Sequence, residues 1–450
     1  MPQPCSVCEK VDDFSNEGGK CVLHCDKEDW FEDRDGEERD WSRAETAGWI
    51  VAFWRAIRTL KAQSAGNLIL NKIAFPKWED FPENRLPVGT VDGTPKKNPL
   101  IKNENFWGTN EHYSFDRLII EFCRFHEEVD FSHIKFGGQV VIRNSVFEKP
   151  VSFQACKFIS SLDIQKVQFE TTCLFVNAWF DEVVQIVNLC HFVNLSFWRA
   201  KFEKGMDIRS YCSVGRLFVL QDVRTEKPIT LFGMQLGSEF KITNTDIQKI
   251  KFHNCKFPEK KERILWVLKQ KRYIIAEEKN SAEHEDVEKS YIQLKENFEA
   301  QKDYKIANHF FAGELETKRK ILKNERFYAG KNEKNRFKKI KYHFPSFEEI
   351  LLDVYKNISF YGLNILAPLV WIVLGVIVLA FIFSFKYSAE NIEILNFHHN
   401  FVRSLEVFSF QKDVFEFPTY LQRFLMIFAK IISLTFSTIF ILGIRRHFKR

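Results

Sequence analysis

The sequence predicts a quadrilateral β-solenoid followed by an α-helical segment and two transmembrane helices, with a small metal-binding knuckle before the solenoid. Three observations predict this fold class: a 22-residue repeat in the middle of the chain, two apolar segments near its C-terminus, and closely spaced cysteines near its N-terminus. Phenylalanine occurs 47 times in 450 residues, mostly in the repeat and in the C-terminal region. A chain this aromatic can bury enough surface to exclude low-complexity disorder.

The first element is a knuckle over residues 1–30, in which Cys5 and Cys8 form one pair and Cys21 begins a second. A C-x2-C turn lets both sulfurs reach one tetrahedral Zn²⁺ at about 2.3 Å. The fourth ligand is His24 or Cys25, and His24 is favoured because it repeats the tight two-residue spacing after Cys21. A metal-free knuckle is the alternative. Because all four ligands come from protein, a bound zinc would be structural and not catalytic.

Residues 31–114 are expected to form a helical and irregular cap. The segment 40–63 has Trp41, Trp49, Phe53 and Ile57 at helical spacings, which predicts an amphipathic helix. Residues 64–114 are rich in proline, asparagine, glycine and lysine, which indicates connections around a short strand, KIAFP. Such a cap would protect the open end of a solenoid, where an unpaired coil would otherwise offer a pairing edge.

The solenoid is predicted over residues 115–257, where apolar residues recur at spacings of five and six. This spacing fits neither a helix nor an ordinary strand. It fits a solenoid whose coils each have four short faces and pair with the next coil. After Tyr211 the phase slips, which we interpret as an inserted loop. The clearest rows are Phe131, Phe153, Phe175 and Phe197, and Phe136, Phe158, Phe180 and Phe202.

The repeats FSHIKF, FQACKF, FVNAWF, FWRAKF and FHNCKF resemble those of the pentapeptide-repeat proteins. The resemblance implies a right-handed quadrilateral β-helix, although this chain prefers Phe and Ile to Leu and alternates five with six. Some members of that family are acidic rods that imitate DNA. Residues 131–257 contain 16 Lys/Arg and 11 Asp/Glu, so DNA mimicry is disfavoured, and a net charge of +6 on the whole chain does not indicate DNA binding.

Residues 258–345 are predicted to form a cytoplasmic helical hairpin, with Asp303 as the N-cap of its second helix. The string YIQLKENFEAQKDYKIANHFFAGELETKRK resembles the hairpin that follows the repeat in a bacterial membrane subset of the same family. Those proteins also carry a CxxC…CxxH knuckle and a two-transmembrane, ion-channel-like domain. The resemblance therefore implies a bacterial inner-membrane location.

The last 105 residues, 346–450, are expected to form the two-span domain. Residues 357–385 are 29 residues without a charge, and the first span is placed at about 363–385. The second span is placed at about 424–444 and contains Lys430, which either snorkels to the interface or has a functional role, lining a pore or pairing with lipid headgroups. Basic segments before the first span and after the second place both termini in the cytoplasm.

The connector between the spans, 386–423, is either an amphipathic helix in the outer interface or a re-entrant segment. It contains His398, His399, Phe408 and Phe410, which with Lys430 are the candidates for a pore or a membrane interface. The histidines are more simply surface residues. The connector has no glycine, so a potassium filter is not supported.

No catalytic constellation emerges, and an enzyme is not expected. The leading hypothesis is a membrane protein whose solenoid recognises a protein partner or assembles, and whose spans form a homo-oligomeric pore or perturb lipid, as in a stress or antiphage effector. The alternative is a non-conducting, membrane-anchored scaffold that binds a protein partner through the solenoid.

Overall fold

The computed structural model divides into two compact units, Met1–Pro258 and Glu259–Arg450. It describes residues 5–8, 19–25, 27, 32–34, 37–40, 44–76, 114–126, 128–264, 268–279, 284–332, 342, 344–384, 397–409 and 420–447.

The first unit begins with a short antiparallel pair, Glu32–Arg34 with Glu37–Asp40, and helix α1, Ala44–Gln63. The helix starts four residues later than expected. Its Phe53 and Trp54 are buried against Phe75, with ring centroids 5.4 and 6.0 Å away. This aromatic contact attaches α1 to the first coil of the solenoid.

The predicted β-solenoid is present, with about six turns, and its strands pair in parallel from coil to coil. An eight-stranded sheet contains Asn67–Asn71, Arg117–Glu121, Val140–Arg143, Leu162–Gln165, Val184–Val187, Met206–Ile208, Ile229–Phe232 and Ile250–His253. A ten-stranded sheet contains Ala74–Phe75, Arg124–Phe125, Val129–Asp130, Val146–Phe147, Val151–Ser152, Gln168–Leu174, His191–Ser196, Ser213–Val219, Gln235–Leu236 and Glu239–Lys241. A six-stranded sheet contains Ser114–Phe115, Lys135–Phe136, Lys157–Phe158, Trp179–Phe180, Lys201–Phe202 and Arg224–Thr225.

The predicted rows of phenylalanine form stacked columns inside the coils. Phe175 lies between Phe153 and Phe197, with centroids 4.9 and 5.0 Å away and planes within 8° of parallel. These separations match the distance between paired strands, about 4.8 Å, so each ring continues the register of the backbone. All three side chains are fully buried.

Left-handed residues turn the corners of the coil. Ala155, Asn177 and Arg199 lie 22 residues apart and have φ of 53°, 54° and 56°. A single αL residue changes the chain direction sharply. This repeated corner explains why the apolar residues are spaced alternately by five and six positions, and not by two as on one face of a straight strand.

Two details differ from the prediction. The strands Asn67–Asn71 and Ala74–Phe75 pair with Arg117–Glu121 and Arg124–Phe125, so residues assigned to the cap supply a coil. The inserted loop that the sequence predicted after Tyr211 is wrong. Val184 pairs with Met206, 22 residues later, and Met206 pairs with Ile229, 23 residues later, so the coils continue with one additional residue. The extra residue lies in the strand Ser213–Val219, where Gly215 and Arg216 are opposite the single residue Val193.

The second unit begins with an antiparallel hairpin, Glu259–Ile264 with Leu268–Tyr273, where the sequence indicated only helices. A 3₁₀ turn, Ala276–Lys279, follows the hairpin. A shorter 3₁₀ turn in the first unit, Ile247–Lys249, immediately precedes the strand Ile250–His253. The helical hairpin comprises α2, His284–Ala300, and α3, Tyr304–Asn332. Asp303 Oδ1 accepts a hydrogen bond from the Ile306 amide at 3.2 Å, the predicted N-cap of α3.

Four helices complete this unit: α4, Phe347–Ser359; α5, Leu366–Ser384; α6, Phe397–Phe408; and α7, Tyr420–His447. Within the described residues, one helical segment is long and apolar enough to cross a membrane, Met426–Arg445 in α7. The apolar part of α5, Leu366–Ile382, is shorter. Thus one membrane-span candidate is found where two were expected, and it is the segment interrupted by Lys430.

Candidate functional site

The N-terminal cysteines and histidine form a group that could hold a metal ion. The ligand atoms of Cys5, Cys8, Cys21 and His24 all lie within 4.8 Å of one another. Cys8 Sγ is 3.7 Å from Cys21 Sγ, and His24 Nδ1 is 3.1 Å from Cys21 Sγ and 3.6 Å from Cys5 Sγ. Sulfurs about 2.3 Å from one tetrahedral ion would be about 3.8 Å apart, so this donor set fits such an ion.

Two tight turns bring the ligands together. Residues 6–8 form the first turn, where the Val7 amide donates to Cys5 Sγ at 3.4 Å. In the second turn the amides of His24 and Cys25 both donate to the Cys21 carbonyl at 3.0 Å. Amide donors near the sulfur favour the thiolate that a metal needs.

His24 is oriented by the first coil of the solenoid. Its Nε2 lies 3.1 Å from the backbone carbonyl of Asn71, which can only accept a hydrogen bond. The proton must therefore be on Nε2, and Nδ1 is left with its lone pair directed at the cysteines. Such a carbonyl partner is typical of metal-binding histidines. Sequence reasoning missed Asn71, because it is 47 residues from His24 and contributes only its backbone.

The pKa values of two thiols in this group, Cys5 and Cys21, shift in opposite directions. Burial opposes ionisation of Cys5, but hydrogen bonds with Cys21, Val7 and Cys8 outweigh it and lower the pKa to about 6. Burial raises the pKa of Cys21 to about 12. Three thiolates and a divalent ion would carry a net charge of −1. Lys27 is buried beside this segment and donates to the Leu23 and Cys25 carbonyls at 3.1 and 3.0 Å, so a compensating positive charge lies close by.

Cys25, the alternative fourth ligand, is outside the group. Its Sγ donates to the Val22 carbonyl at 3.5 Å, and the residue is buried. His24, and not Cys25, therefore belongs to the group that could hold a metal ion. The cysteines in the solenoid are buried along its interior, and burial raises the pKa of Cys173 well above its usual value.

The membrane-interface candidates lie in different environments. Lys430 is half-buried on α7. Phe408 is only 8% exposed, in a cluster with Val376, Leu379 and Met426. Gly375 makes room for it, since a Cβ there would be 2.7 Å from the Phe408 ring. His398 and His399 lie in the first turn of α6, where their side chains are outside the described part of the structure, and Phe410 lies outside the described residues.

A buried ionic cluster, which the sequence did not reveal, joins the β-hairpin to α2 and α3. Arg272 is fully buried and donates bidentately to Glu278, with both distances 2.6 Å, and to Glu262 at 3.0 Å. Tyr291 and Lys320 also donate to Glu278, at 2.6 and 2.8 Å. Burial alone would raise the pKa of Glu278, but Arg272 and Lys320 hold it far below its usual value.

A second cluster joins α3 to α4 and to the turn after it. Glu316 accepts hydrogen bonds from Arg319 at 2.9 Å, Lys356 at 3.0 Å and the Tyr361 hydroxyl at 2.8 Å. Burial opposes ionisation of Glu316, but Arg319 and Lys356 lower its pKa to about 2. Lys356 also lies 3.2 Å from Glu262, so it connects the two clusters.

A row of basic side chains follows the outer face of the six-stranded sheet. Its members occupy the same position in successive coils, Lys135, Lys157, Lys201 and Arg224, with Trp179 in the middle. Lys157 and Lys201 lie over the Trp179 ring, 4.9 and 4.0 Å from its centroid. Asp181 and Glu203 offset part of the charge, at 3.7 and 2.7 Å from these lysines. We call this surface the basic row.

No family model, no curated protein sequence and no solved structure matches this chain.

Proposed function

We propose that this chain is an integral membrane protein in which α5 and α7 both cross the bilayer and anchor a β-solenoid that binds a protein partner. The observation that carries the proposal is the exposure of apolar side chains around both helices. Only 17% of the apolar segment of α7 is buried, whereas a core helix of a soluble protein would be mostly buried. The exposed side chains include Leu366, Val370, Val373, Val378 and Phe381 on α5, and Phe424, Ile427, Ile431, Leu434 and Ile441 on α7.

The length of α5 is compatible with a span. Its 19 residues include no charged side chain and extend about 28 Å, close to the hydrocarbon thickness of about 30 Å. α6 packs between α5 and α7 through Val407 and Phe408, and Ser433 of α7 donates to the Phe408 carbonyl at 2.7 Å. This contact favours a helix that packs against the spans over a pore-lining role, which is one of the two roles that the sequence predicts for Phe408.

The number of spans can be tested with epitope tags at Met1 and Arg450 of the full chain. In sealed membrane vesicles, two spans place both tags on the same side, so an added protease removes both or neither. A single span would place the tags on opposite sides, so that only one is removed, and would contradict the proposal. Inverted vesicles also test the expected cytoplasmic location of both termini.

The basic row supports an acidic partner for the solenoid. Its side chains repeat at the strand spacing of about 4.8 Å, so several could engage one acidic segment, while Trp179 adds an aromatic surface. A polyglutamate peptide is a suitable probe. We expect its binding, measured by fluorescence anisotropy, to weaken in Lys157→Glu/Lys201→Glu and to be retained in Arg216→Glu/Lys251→Glu, which changes the charge equally elsewhere on the solenoid. Equal weakening in both variants would argue against a specific acidic site.

For the knuckle we propose a structural Zn²⁺, held by Cys5, Cys8, Cys21 and His24 as in the CxxC…CxxH knuckles that this segment resembles. The support is the set of three sulfurs and one imidazole nitrogen, which suits zinc better than harder ions. Placement of the whole chain among bacterial pentapeptide-repeat membrane proteins is likewise part of the proposal, on the repeat pattern and the order of elements.

A further inference from the structure

Helix α4, which precedes the first proposed span, exposes its apolar face. One face of α4 is apolar and exposed, with Phe347 81% and Leu351 56% accessible. Ile350 and Val354 complete this face at the three- and four-residue spacing of a helical stripe. We call these four residues the apolar stripe. In a soluble domain such a stripe would face the core.

The opposite face of α4 is charged and already occupied by α3. Glu349 is 1% exposed and accepts from Arg326 at 2.9 Å, and Asp353 accepts from Arg319 at 2.9 Å. Lys356 completes this face through Glu316. Turning the apolar stripe inward would break these ion pairs, so the helix is held with its apolar side outward.

The connection to α5 keeps the stripe close to the bilayer. Six residues separate Ser359 from Leu366, and they can extend at most about 21 Å. Phe360, Tyr361 and Gly362 have φ of 50°, 59° and 84°, which makes a sharp turn and shortens that reach. The Tyr361 hydroxyl holds the turn by donating to Glu316.

A tryptophan links the last turn of α4 to the second turn of α5. Trp371 Nε1 donates to the Asn357 carbonyl at 3.1 Å. Tryptophan favours the boundary between lipid and water, where its ring is in an apolar region and its N–H finds an acceptor. The contact therefore places the end of α4 at the same depth as this boundary residue.

We propose that α4 lies in the lipid–water interface of the bilayer, with the apolar stripe among the upper acyl chains of glycerophospholipids and the charged face toward α3. This inference rests on the proposed function, since it requires that α5 enters the membrane. A soluble partner or a second copy could also cover an apolar stripe, but the bilayer is the surface that the chain itself brings within reach. Through its ion pairs with α3, α4 would hold the helical hairpin at the membrane surface.

Photo-crosslinking in the full chain tests this placement. A benzophenone amino acid is introduced singly at Leu351 in the apolar stripe, at exposed Ile431 in α7, and at exposed Glu296 in α2. The three proteins are reconstituted in vesicles of phosphatidylethanolamine and phosphatidylglycerol and irradiated. Lipid adducts are then quantified by mass spectrometry. All three positions are exposed, so the substitutions leave the folded unit intact.

We expect a lipid-adduct yield at Leu351 that approaches the yield at Ile431 and is several-fold above that at Glu296. Adducts at Ile431 but only background at Leu351 would overturn the interfacial placement and leave the membrane proposal standing. A crosslink from Leu351 to a second copy of the chain would overturn it in favour of a protein interface. Background yield at both positions would refute the membrane proposal itself.

Discussion

Lys356 shows how single charges organise the second unit. Its ammonium lies 3.2 Å from Glu262 on the β-hairpin and 3.0 Å from Glu316 on α3, while its backbone belongs to α4. Three elements thus meet at one half-buried side chain. Buried carboxylates and cations of this kind are costly when one partner is removed, because the remaining charge stays desolvated.

The clusters predict an acid-sensitive second unit. Burial raises the pKa of Glu316, but its basic partners lower it by more, so that the pKa is about 2 and not the usual 4.5. The folded state stabilises the ionised form of Glu316 relative to the unfolded state. This contribution to the free energy of unfolding is fully present above pH 4.5 and is lost as the pH falls toward 2. The shift corresponds to about 3 kcal/mol. The midpoint temperature of thermal unfolding in detergent should therefore fall steeply as the pH is lowered below 4.5.

Glu316→Gln should flatten that dependence, since it removes one of the titrating groups. Glu296→Gln is the matched control, because Glu296 is exposed on α2 and should leave the slope unchanged. A wild-type slope in Glu316→Gln would show that the cluster does not control acid stability.

The metal site predicts a sharp difference between neighbouring cysteines. Cys8→Ser removes a ligand and should reduce the zinc content of the purified chain from one equivalent per protein toward zero. Cys25→Ser should leave it unchanged, because Cys25 Sγ points to the Val22 carbonyl. Elemental analysis by mass spectrometry measures both. Loss of zinc in Cys25→Ser, or retention in Cys8→Ser, would contradict the ligand set.

The members of the candidate metal group could be predicted, because a two-residue spacing restricts where a side chain can reach. Their orientation could not, since the Asn71 carbonyl that accepts from His24 belongs to a strand far along the chain. The buried position of Phe408 was equally hidden, because it depends on Gly375 in another helix. Contacts between distant segments leave no periodic signal in the sequence.

At the scale of elements, the coils of the solenoid were the most predictable part. Every coil repeats the same inward positions, so the period is visible in the letters alone. The first coil was not predicted, although a short strand was expected at KIAFP. Among the described residues the first coil is represented by two short strands, Asn67–Asn71 and Ala74–Phe75, which are far along the chain from the strands they pair with. The hairpin Glu259–Tyr273 was missed because its strands are mostly charged and pair only with each other.

The phenylalanine columns predict a large cost for interrupting one ring. Phe175→Ala should destabilise the first unit by about 3–5 kcal/mol, since it removes a fully buried ring from between two others. Phe175→Leu should cost less because it leaves a smaller cavity. Calorimetry of the full chain in detergent measures both. Tyr211→Asn is the control, because Tyr211 is exposed and has a left-handed φ that Asn tolerates. A loss as large as that of Phe175→Ala in this control would contradict the account.

At the scale of the whole molecule, apolar side chains are distributed in two ways. In the solenoid most of them point inward and are buried, whereas many of those on α5 and α7, and all four of the apolar stripe, are exposed. The exposed set is what favours a membrane over a soluble protein. The homo-oligomeric pore, with its stress or antiphage role, stays a prediction, which a potential-sensitive dye in expressing cells would test.

Flotation after alkaline carbonate washing of membranes, taken from cells that express the full chain, directly tests whether the chain is embedded in a lipid bilayer. Carbonate removes peripheral proteins, and a density gradient separates floating membranes from aggregates, which stay at the bottom. We predict that the protein floats with the washed membranes. Release of soluble protein into the carbonate supernatant would contradict the account.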